Sequence, residues 1–531
     1  MTMRRYGNLR SVLAWGGSFG VVLLLWQCAT LVVALPGPFA IMRRIGTDGP
    51  ALYWNAGLAT LRCALPGWAG ATVAAALCAL PATMWPVLAS GLFQLGVMSY
   101  CLPSLAIGPV LMIVLDGDGP RIMLAALASF FTMLVGTMTG LRACSPSQTV
   151  LVTAFGGTAL QALFRVRLRA ALPAWFAALR ISASASVLGA MVGEFLGAEH
   201  GLGVLLINAQ QSLDLSRTCA VTLVSAAFAG VLYAGVGIVG YACTRWARDM
   251  PLDLARDSEA LRAGWTAGPE RMRVLLHGAG RLAGATVLAL GAWWLVLRMS
   301  GVTPYVGRSP YDVLLYLTDG AEGPSRISAI AGELGITLQD MAVGLVGGIV
   351  AGLVLAVFSQ LWPPLHRLLA GPVFIMQAIP LIATTPLLIL LFGRGEAIVV
   401  TVGTIVTFFP VFVTVSQSFA QTPRTALDLI SANGGGRVDA LRKVQVPAAL
   451  PSIFAALRIA APLAMTGALI AEWLATGRGM GYMLLNAVSM SDYDGLWARV
   501  TVTTTVSMIL YGLVGLGEVV AMRALTGGRA R

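Results

Sequence analysis

The sequence predicts an all-α polytopic membrane protein made of two homologous six-helix halves, about twelve transmembrane helices in all. Three observations carry that expectation. Charge is scarce, apolar runs of membrane-crossing length recur from end to end, and a long segment repeats at a constant offset.

Of the 531 residues, 57% are hydrophobic and 11% are charged, whereas a soluble domain carries roughly 25% charged residues. A helix crosses the hydrocarbon core with about 20 apolar residues. The segments 11–35, 221–241, 282–297, 341–358 and 399–415 approach or reach that length. The net charge of +12 does not point to nucleic acid, because the cations sit between the apolar runs. Arg4, Arg5 and Arg10 open the chain, and Arg165, Arg167 and Arg169 form a second group. Others lie from Arg245 to Arg281, from Arg437 to Lys443, and at Arg523, Arg529 and Arg531. Short basic loops mark the cytoplasmic side of a membrane protein, so the expected partner is the lipid bilayer and no nucleic acid. The seven cysteines are scattered in or beside apolar runs, with neither a disulfide framework nor metal-ligand spacing.

The repeat settles the architecture expected. Residues 170–214 align without a gap to 448–492, an offset of 278, with 21 identities in 45 positions. Ala-Ala-Leu-Pro at 170–173 recurs at 448–451, and Phe-Ala-Ala-Leu-Arg-Ile at 176–181 recurs at 454–459. Glu194 meets Glu472, Gly201 meets Gly479, Gly203 meets Gly481, and Asp214 meets Asp492. Shared richness in Ala and Leu does not give so long an ungapped match.

Six helices are expected in each half, near 11–35, 54–80, 86–115, 120–142, 174–197 and 217–243, then near 282–300, 335–358, 366–392, 396–420, 452–475 and 497–521. The basic start and apolar run mimic a signal peptide, but the run is longer than the usual apolar core of one. It is read as an uncleaved first span. The domain plan is therefore 1–243, a charged cytoplasmic connector at 244–281, and 282–531. An even number of spans per half places both termini inside, with Arg43 and Arg44 lying outside against the trend.

The stretch richest in functional signal lies between the fourth and fifth spans of each half. In the second half it reads Asp428-Leu-Ile-Ser-Ala-Asn-Gly434, nine residues, then Val444-Gln-Val-Pro447. Gly434 offers a helix stop, because glycine tolerates the left-handed conformation that ends helices. Val438, Leu441, Val444 and Val446 give the next segment an apolar face, with charges at Arg437, Asp439, Arg442 and Lys443. Pro447 and Pro451 are expected to break the path before the fifth span. The result is a helix–turn–helix across the membrane face, presenting polar groups to a cytoplasmic partner.

This stretch resembles the EAA loop of binding-protein-dependent ABC importer permeases, whose pattern is Glu-Ala-Ala, three residues, Gly, nine residues, then Ile-x-Leu-Pro. Asp428 takes the acidic place, Gly434 the glycine, Val444 and Val446 the apolar pair, and Pro447 the proline. The run that follows, with Ala-Glu-Trp-Leu at 471–474 and Gly-Met-Gly-Tyr at 479–482, is similar to the nitrate, sulfonate and taurine branch. The first half departs from the pattern: Val150-Leu-Val stands in the acidic position and Arg169 in that of the proline, while Gly156, Val166, Leu168 and Pro173 remain. Two unequal docking loops are expected.

The resemblance implies a type I importer permease, located in the bacterial inner membrane, with both permease domains in one chain. Its implied partners are two copies of an ABC ATPase and a periplasmic solute-binding protein, and its implied motion is alternating access driven through loops 148–169 and 426–447. ATP and magnesium belong on the ATPase. A phosphate-binding loop needs Gly-x-x-x-x-Gly-Lys-Ser/Thr, and the only lysine, Lys443, follows Arg442. No cofactor is expected on this chain, nor any metal site or catalytic residue, since its three histidines form no cluster and no nucleophile–base pair emerges. The expected cargo is a small anion such as a sulfonate, taurine or nitrate.

Four further residues carry two readings each. Glu194 and Glu472 either line the pathway as a gate, facing each other across the pseudo-two-fold axis, or bond locally to the Gly-Leu-Gly and Gly-Met-Gly turns that follow. Acids in spans usually face a cavity or a partner. Pro103 and Pro380, with Pro109 and Pro386 beyond them, either kink a pathway-lining third span or serve packing. Two other functions remain in view: a fused permease of a ferric-iron or thiamine importer, and a twelve-helix secondary transporter with parallel six-span halves. Against the second, 81–86 between spans two and three holds no charge.

Overall fold

The computed structural model describes residues 36–247 except 145, 301–362 except 321, 364–365 and 381–526, with isolated positions among 20–30 and 287–298. Every regular element among them is helical. Among the described residues eight helices are long and apolar enough to cross a membrane, and a broken pair adds a ninth. Most of each expected span at 11–35, 282–300 and 366–392 lies outside the described residues. So do nearly all of the connector and Pro380.

In the first half the spans are α2 (Pro50–Met84), the broken pair α3 (Pro86–Cys101) and α4 (Ser104–Val114), α5 (Gly119–Arg142), α8 (Leu168–Gly197) and α10 (Leu215–Cys243). A short helix, α1 (Pro38–Asp48), precedes them. On the face between α5 and α8 lie α6 (Pro146–Ala154) and α7 (Ala159–Ala162), and α9 (Leu202–Gln211) lies between α8 and α10. The second half repeats the plan. It has α11 (Pro310–Thr318), α12 (Gly323–Leu361), α13 (Leu381–Phe392), α14 (Glu396–Ala420), α15 (Arg424–Ala432), α16 (Arg437–Ala440), α17 (Val446–Ala471), α18 (Gly479–Ser489) and α19 (Tyr493–Thr526). The same partners pack in both: α2, α5 and α8 with α10 against α8, then α12, α14 and α17 with α19 against α17.

Small residues at every fourth position explain two of these close crossings. Gly67, Ala71, Ala75 and Ala79 run down α2, and Gly344, Gly348, Gly352 and Ala356 run down α12 at an offset of 277; all eight are buried. Lipid tails are as apolar as Leu, so membrane helices associate through close van der Waals contact, which small residues permit. A Cβ on Gly344 would stand 2.6 Å from Gly403 Cα on α14, and one on Gly67 would stand 2.7 Å from Ala125 Cβ on α5.

The third span of the first half does more than kink. It turns by 93° between Cys101 and Ser104, with Pro103 as the residue before α4. Proline supplies no N–H, so the chain loses little hydrogen bonding by breaking there. The bend sends α4 into the second half, where Leu105, Ala106 and Val110 join one apolar cluster with residues of α17, α18 and α19. Tyr100 also donates to the carbonyl of Ile459, at 2.8 Å.

Two of the cations outside the expected cytoplasmic loops, Arg44 and Arg217, have a local reason. Arg217 makes two 2.8 Å bonds to the carboxylate of Asp48, and Arg44 bonds to Asp214 and lies 3.3 Å from Asp48. Paired charges of this kind are compatible with the positive-inside bias. The bond from Arg217 pulls the Asp48 carboxyl down to about 2. A carboxyl held below its usual value near 4 stabilises the fold above that value and loses the effect as pH falls toward 2. Asp48→Asn is therefore expected to lower the melting temperature of the detergent-solubilised protein at pH 7, and the gap to wild type should close near pH 2. A gap that persists unchanged at pH 2 would contradict this assignment.

Candidate functional site

The two segments between spans four and five have one backbone design. In the second half α15 ends as the Gly434 N–H donates to Ser431 O at 3.0 Å and the Gly435 N–H to Ile430 O at 2.9 Å. In the first half the Gly156 N–H donates to Thr153 O at 3.0 Å and the Gly157 N–H to Val152 O at 2.9 Å. Gly434 has φ +75° and Gly156 φ +79°, the left-handed region that glycine enters without steric cost. Each turn leads into a short helix and then a π-helical turn, 163–167 in one half and 441–445 in the other, again 278 apart. The first half keeps this geometry although it lacks the acid and the proline.

One expectation fails here. Pro447 and Pro451 do not break the path into the fifth span; helix runs without interruption from Arg437 to Thr476, and in the first half from Ala159 to Gly197. Pro447 is an interior position of that continuous helix, and the π turn directly precedes it, locally widening the backbone where the proline ring and missing N–H would otherwise break the path. The same turn forms in the first half with Arg169 in that place, so the proline is not its cause. Pro173 and Pro451 both lie inside continuous helix.

Each elbow is tied to the end of its own second span. Arg437 donates to Leu361 O at 3.3 Å and Arg167 to Thr83 O at 3.5 Å. Leu441 is buried, Val444, Val446, Val166 and Leu168 are half-buried, and Asp428, Gly434, Arg437, Pro447 and Gly156 are exposed. Several apolar side chains are left largely uncovered by the described residues: Phe155 is 86% exposed, and Leu429 and Val438 are each 64% exposed.

At the opposite ends of the fifth spans, Glu194 and Glu472 make the local bonds that one of their two readings expects. Both side chains are 0% exposed. Glu194 Oε2 accepts from the Gly203 N–H at 2.7 Å, and Glu472 Oε2 from the Gly481 N–H at 2.7 Å. Each carboxyl thus folds back onto its own glycine turn and does not face its counterpart. Sequence reasoning missed the second part of this clasp: the Leu202 N–H donates to Thr60 Oγ1 and the Met480 N–H to Thr337 Oγ1, both at 3.0 Å. The offset of 277 that aligns the small-residue ladders of α2 and α12 also pairs these two threonines. No cluster of three metal-binding side chains occurs among the described residues.

A duplicated membrane bundle with a matched elbow on one face defines a two-domain membrane permease. The chain belongs to the family of binding-protein-dependent transport system inner membrane components, which matches residues 71–248 and again 348–518. It is an ABC transporter permease. It is 30% identical over 219 residues to a probable ABC transporter permease protein of Haemophilus influenzae, covering 41% of this chain and 87% of that protein. To the formylaminopyrimidine transport permease protein ThiX of Halalkalibacterium halodurans it is 30% identical over 227 residues, covering 43% and 86%. To the taurine transport system permease protein TauC of Escherichia coli it is 24% identical over 229 residues, covering 43% and 83%. Each match takes less than half of this chain but more than four-fifths of the relative, so one relative answers to one half. No solved structure gives a significant match.

Proposed function

We propose that this chain supplies the translocation pathway of an ATP-driven importer, its halves 1–243 and 282–531 joined by a cytoplasmic linker at 244–281. The elbows at 148–169 and 426–447 dock two copies of a separate ATPase, which holds the ATP and magnesium, and a periplasmic binding protein delivers cargo to the other face. The observation that carries this reading is the pair of elbows: the same left-handed glycine, the same bonds, and apolar side chains left uncovered on one face. Helix faces of this kind are buried when a partner docks against them. Reconstitution tests it. The chain in vesicles with its ATPase and loaded binding protein should take up cargo only with ATP, and the ATPase should bind vesicles that carry the chain and not vesicles without it.

Orientation follows from the basic loops. Tags at Arg5, Gly264 and Arg531 are expected to be cytoplasmic, and reporters near Gly49, Gly323 and Asp494 periplasmic. A periplasmic reporter signal at Gly264 would overturn the six-plus-six plan.

For cargo, the run at 471–482 supports a sulfonate-like anion. A second reading is a neutral nitrogen heterocycle, favoured by the higher identity to the formylaminopyrimidine permease than to the taurine permease. Competition of uptake by taurine, an alkanesulfonate, nitrate and an aminopyrimidine separates the two.

A further inference from the structure

We propose that Phe195 and Trp473 form the outer gate of the pathway, and that Glu194 and Glu472 are positioning residues that hold the two gate segments in place. The inference rests on the importer reading above and adds the residues that close the side opposite the elbows.

Phe195 and Trp473 are 278 residues apart, so each occupies in its own half the position of the other. Their rings meet edge to face, with centroids 5.2 Å apart and planes at 87°. Equivalent residues of two related halves can touch only where the pseudo-two-fold axis passes between them. The neighbours obey the same symmetry: Val192, Phe195 and Leu196 from one fifth span, and Ile470, Trp473 and Leu474 from the other, enter a single apolar cluster. The outer ends of the two fifth spans therefore meet on the axis through apolar side chains, and the pathway is shut at that level. An apolar constriction closes a pore by excluding water.

The residue before each gate aromatic is the clasp carboxyl, and the two are coupled by position on one helix turn. Glu194 and Glu472 bond to Gly203 and Gly481, which lie in the first turns of α9 and α18. A Cβ on Gly201 or Gly479 would run into the carboxyl groups themselves, so the turn is shaped around them. The carboxyls brace the gate from behind and do not line it.

The two sides of the gate differ. Trp473 sits in a π-helical turn, 472–476, whereas Phe195 sits in regular α-helix. Single π turns inside α-helices often mark functional sites. Trp473 also walls a recess of about 570 Å³ with Arg394, Thr476, Arg478 and Tyr482. The second half is thus the one built to yield, and Trp473 is the moving leaf.

The test uses the complete complex in vesicles, with ATPase and loaded binding protein. A chain carrying Phe195→Cys and Trp473→Cys is treated with a short bifunctional thiosulfonate. Uptake should fall by about tenfold or more, because a locked gate stops the turnover it controls, and should return on reduction. Either single variant should transport after treatment as it does before it. If the treated double variant transports as the single ones do, the gate is placed wrongly. In parallel, Phe195→Ala with Trp473→Ala should raise ATP hydrolysis several-fold without binding protein, while the exchange Phe195→Trp with Trp473→Phe should keep it near wild type. An exchange variant as uncoupled as the alanine pair, or an alanine pair that behaves as wild type, also overturns the proposal. Absence of ATP-dependent uptake by the wild-type chain would instead sink the importer reading beneath it.

Discussion

Gly434→Val is expected to abolish uptake while leaving the protein inserted in the membrane. Gly434 holds φ +75°, and a side chain forced into left-handed geometry costs on the order of 1–2 kcal/mol. No atom lies within 4 Å of the place a Cβ would take, so the cost is one of backbone conformation and not of collision. Relief comes by letting α15 run on or unwind, which breaks the bonds to Ser431 and Ile430 and shifts Leu429 against Val438. The spans feel little of this, because no residue of α15 is buried. The docking face feels all of it. The ATPase should either separate from the membrane or lose its stimulation by the binding protein, as read by co-purification and by ATP hydrolysis. Gly156→Val makes an informative partner. Its φ of +79° and open surroundings give the same local strain, yet a milder loss is expected, because Val150 and Arg169 stand where the pattern has an acid and a proline. Unchanged uptake in Gly434→Val, with the ATPase attached and stimulated, would show that the elbow does not couple.

The second large effect is expected at Glu472, and it falls on stability. Glu472→Ala leaves the buried Gly481 N–H without its acceptor and opens a cavity at a fully enclosed site. An orphaned buried donor costs about 1–3 kcal/mol, and the lost packing adds to it. The turn has little freedom to close in and compensate, because the Met480 N–H is already committed to Thr337 Oγ1 at 3.0 Å. Glu472→Gln retains an oxygen at the same place and should cost much less. Thermal denaturation in detergent and the yield of inserted protein give the ranking wild type, then Gln, then Ala. The two variants together discriminate between roles. If Gln and Ala are equally stable and alter transport alike, the carboxyl acts in the pathway and the clasp reading is lost. Glu194 should follow the same order, as its bond to Gly203 is also 2.7 Å.

Much of this architecture is legible in the chain because its signals are local. The scarcity of charge and the length of the apolar runs fix a helical membrane protein. The offset of 278 fixes two halves, and it carries through to Gly156 and Gly434, to the paired π turns, and to Leu213 and Ser491, which share φ values of 54° and 56°. A turn glycine and the backbone bonds around it lie within a few residues of one another, so their spacing records them. The sequence also brings Glu194 to within nine residues of Gly203, and Glu472 of Gly481, which is why a local bond could be weighed against a gate before any contact was known.

What the chain could not disclose by itself is which distant surfaces meet. Thr60 lies 142 residues from Leu202, and Thr337 lies 143 from Met480; no local pattern marks them as the far side of a clasp. Pro447 and Pro451 look like breaks in one dimension, yet they are absorbed by a continuous helix whose π turn leaves room. Phe195 and Trp473 read as two more apolar residues at the ends of spans. Only the packing of the halves puts them on a common axis, because symmetry in sequence states which positions are equivalent and not which of them touch. Contact between equivalents depends on how the halves pack, and the bend at Pro103, which carries α4 against α17, α18 and α19, is a feature of that packing in three dimensions.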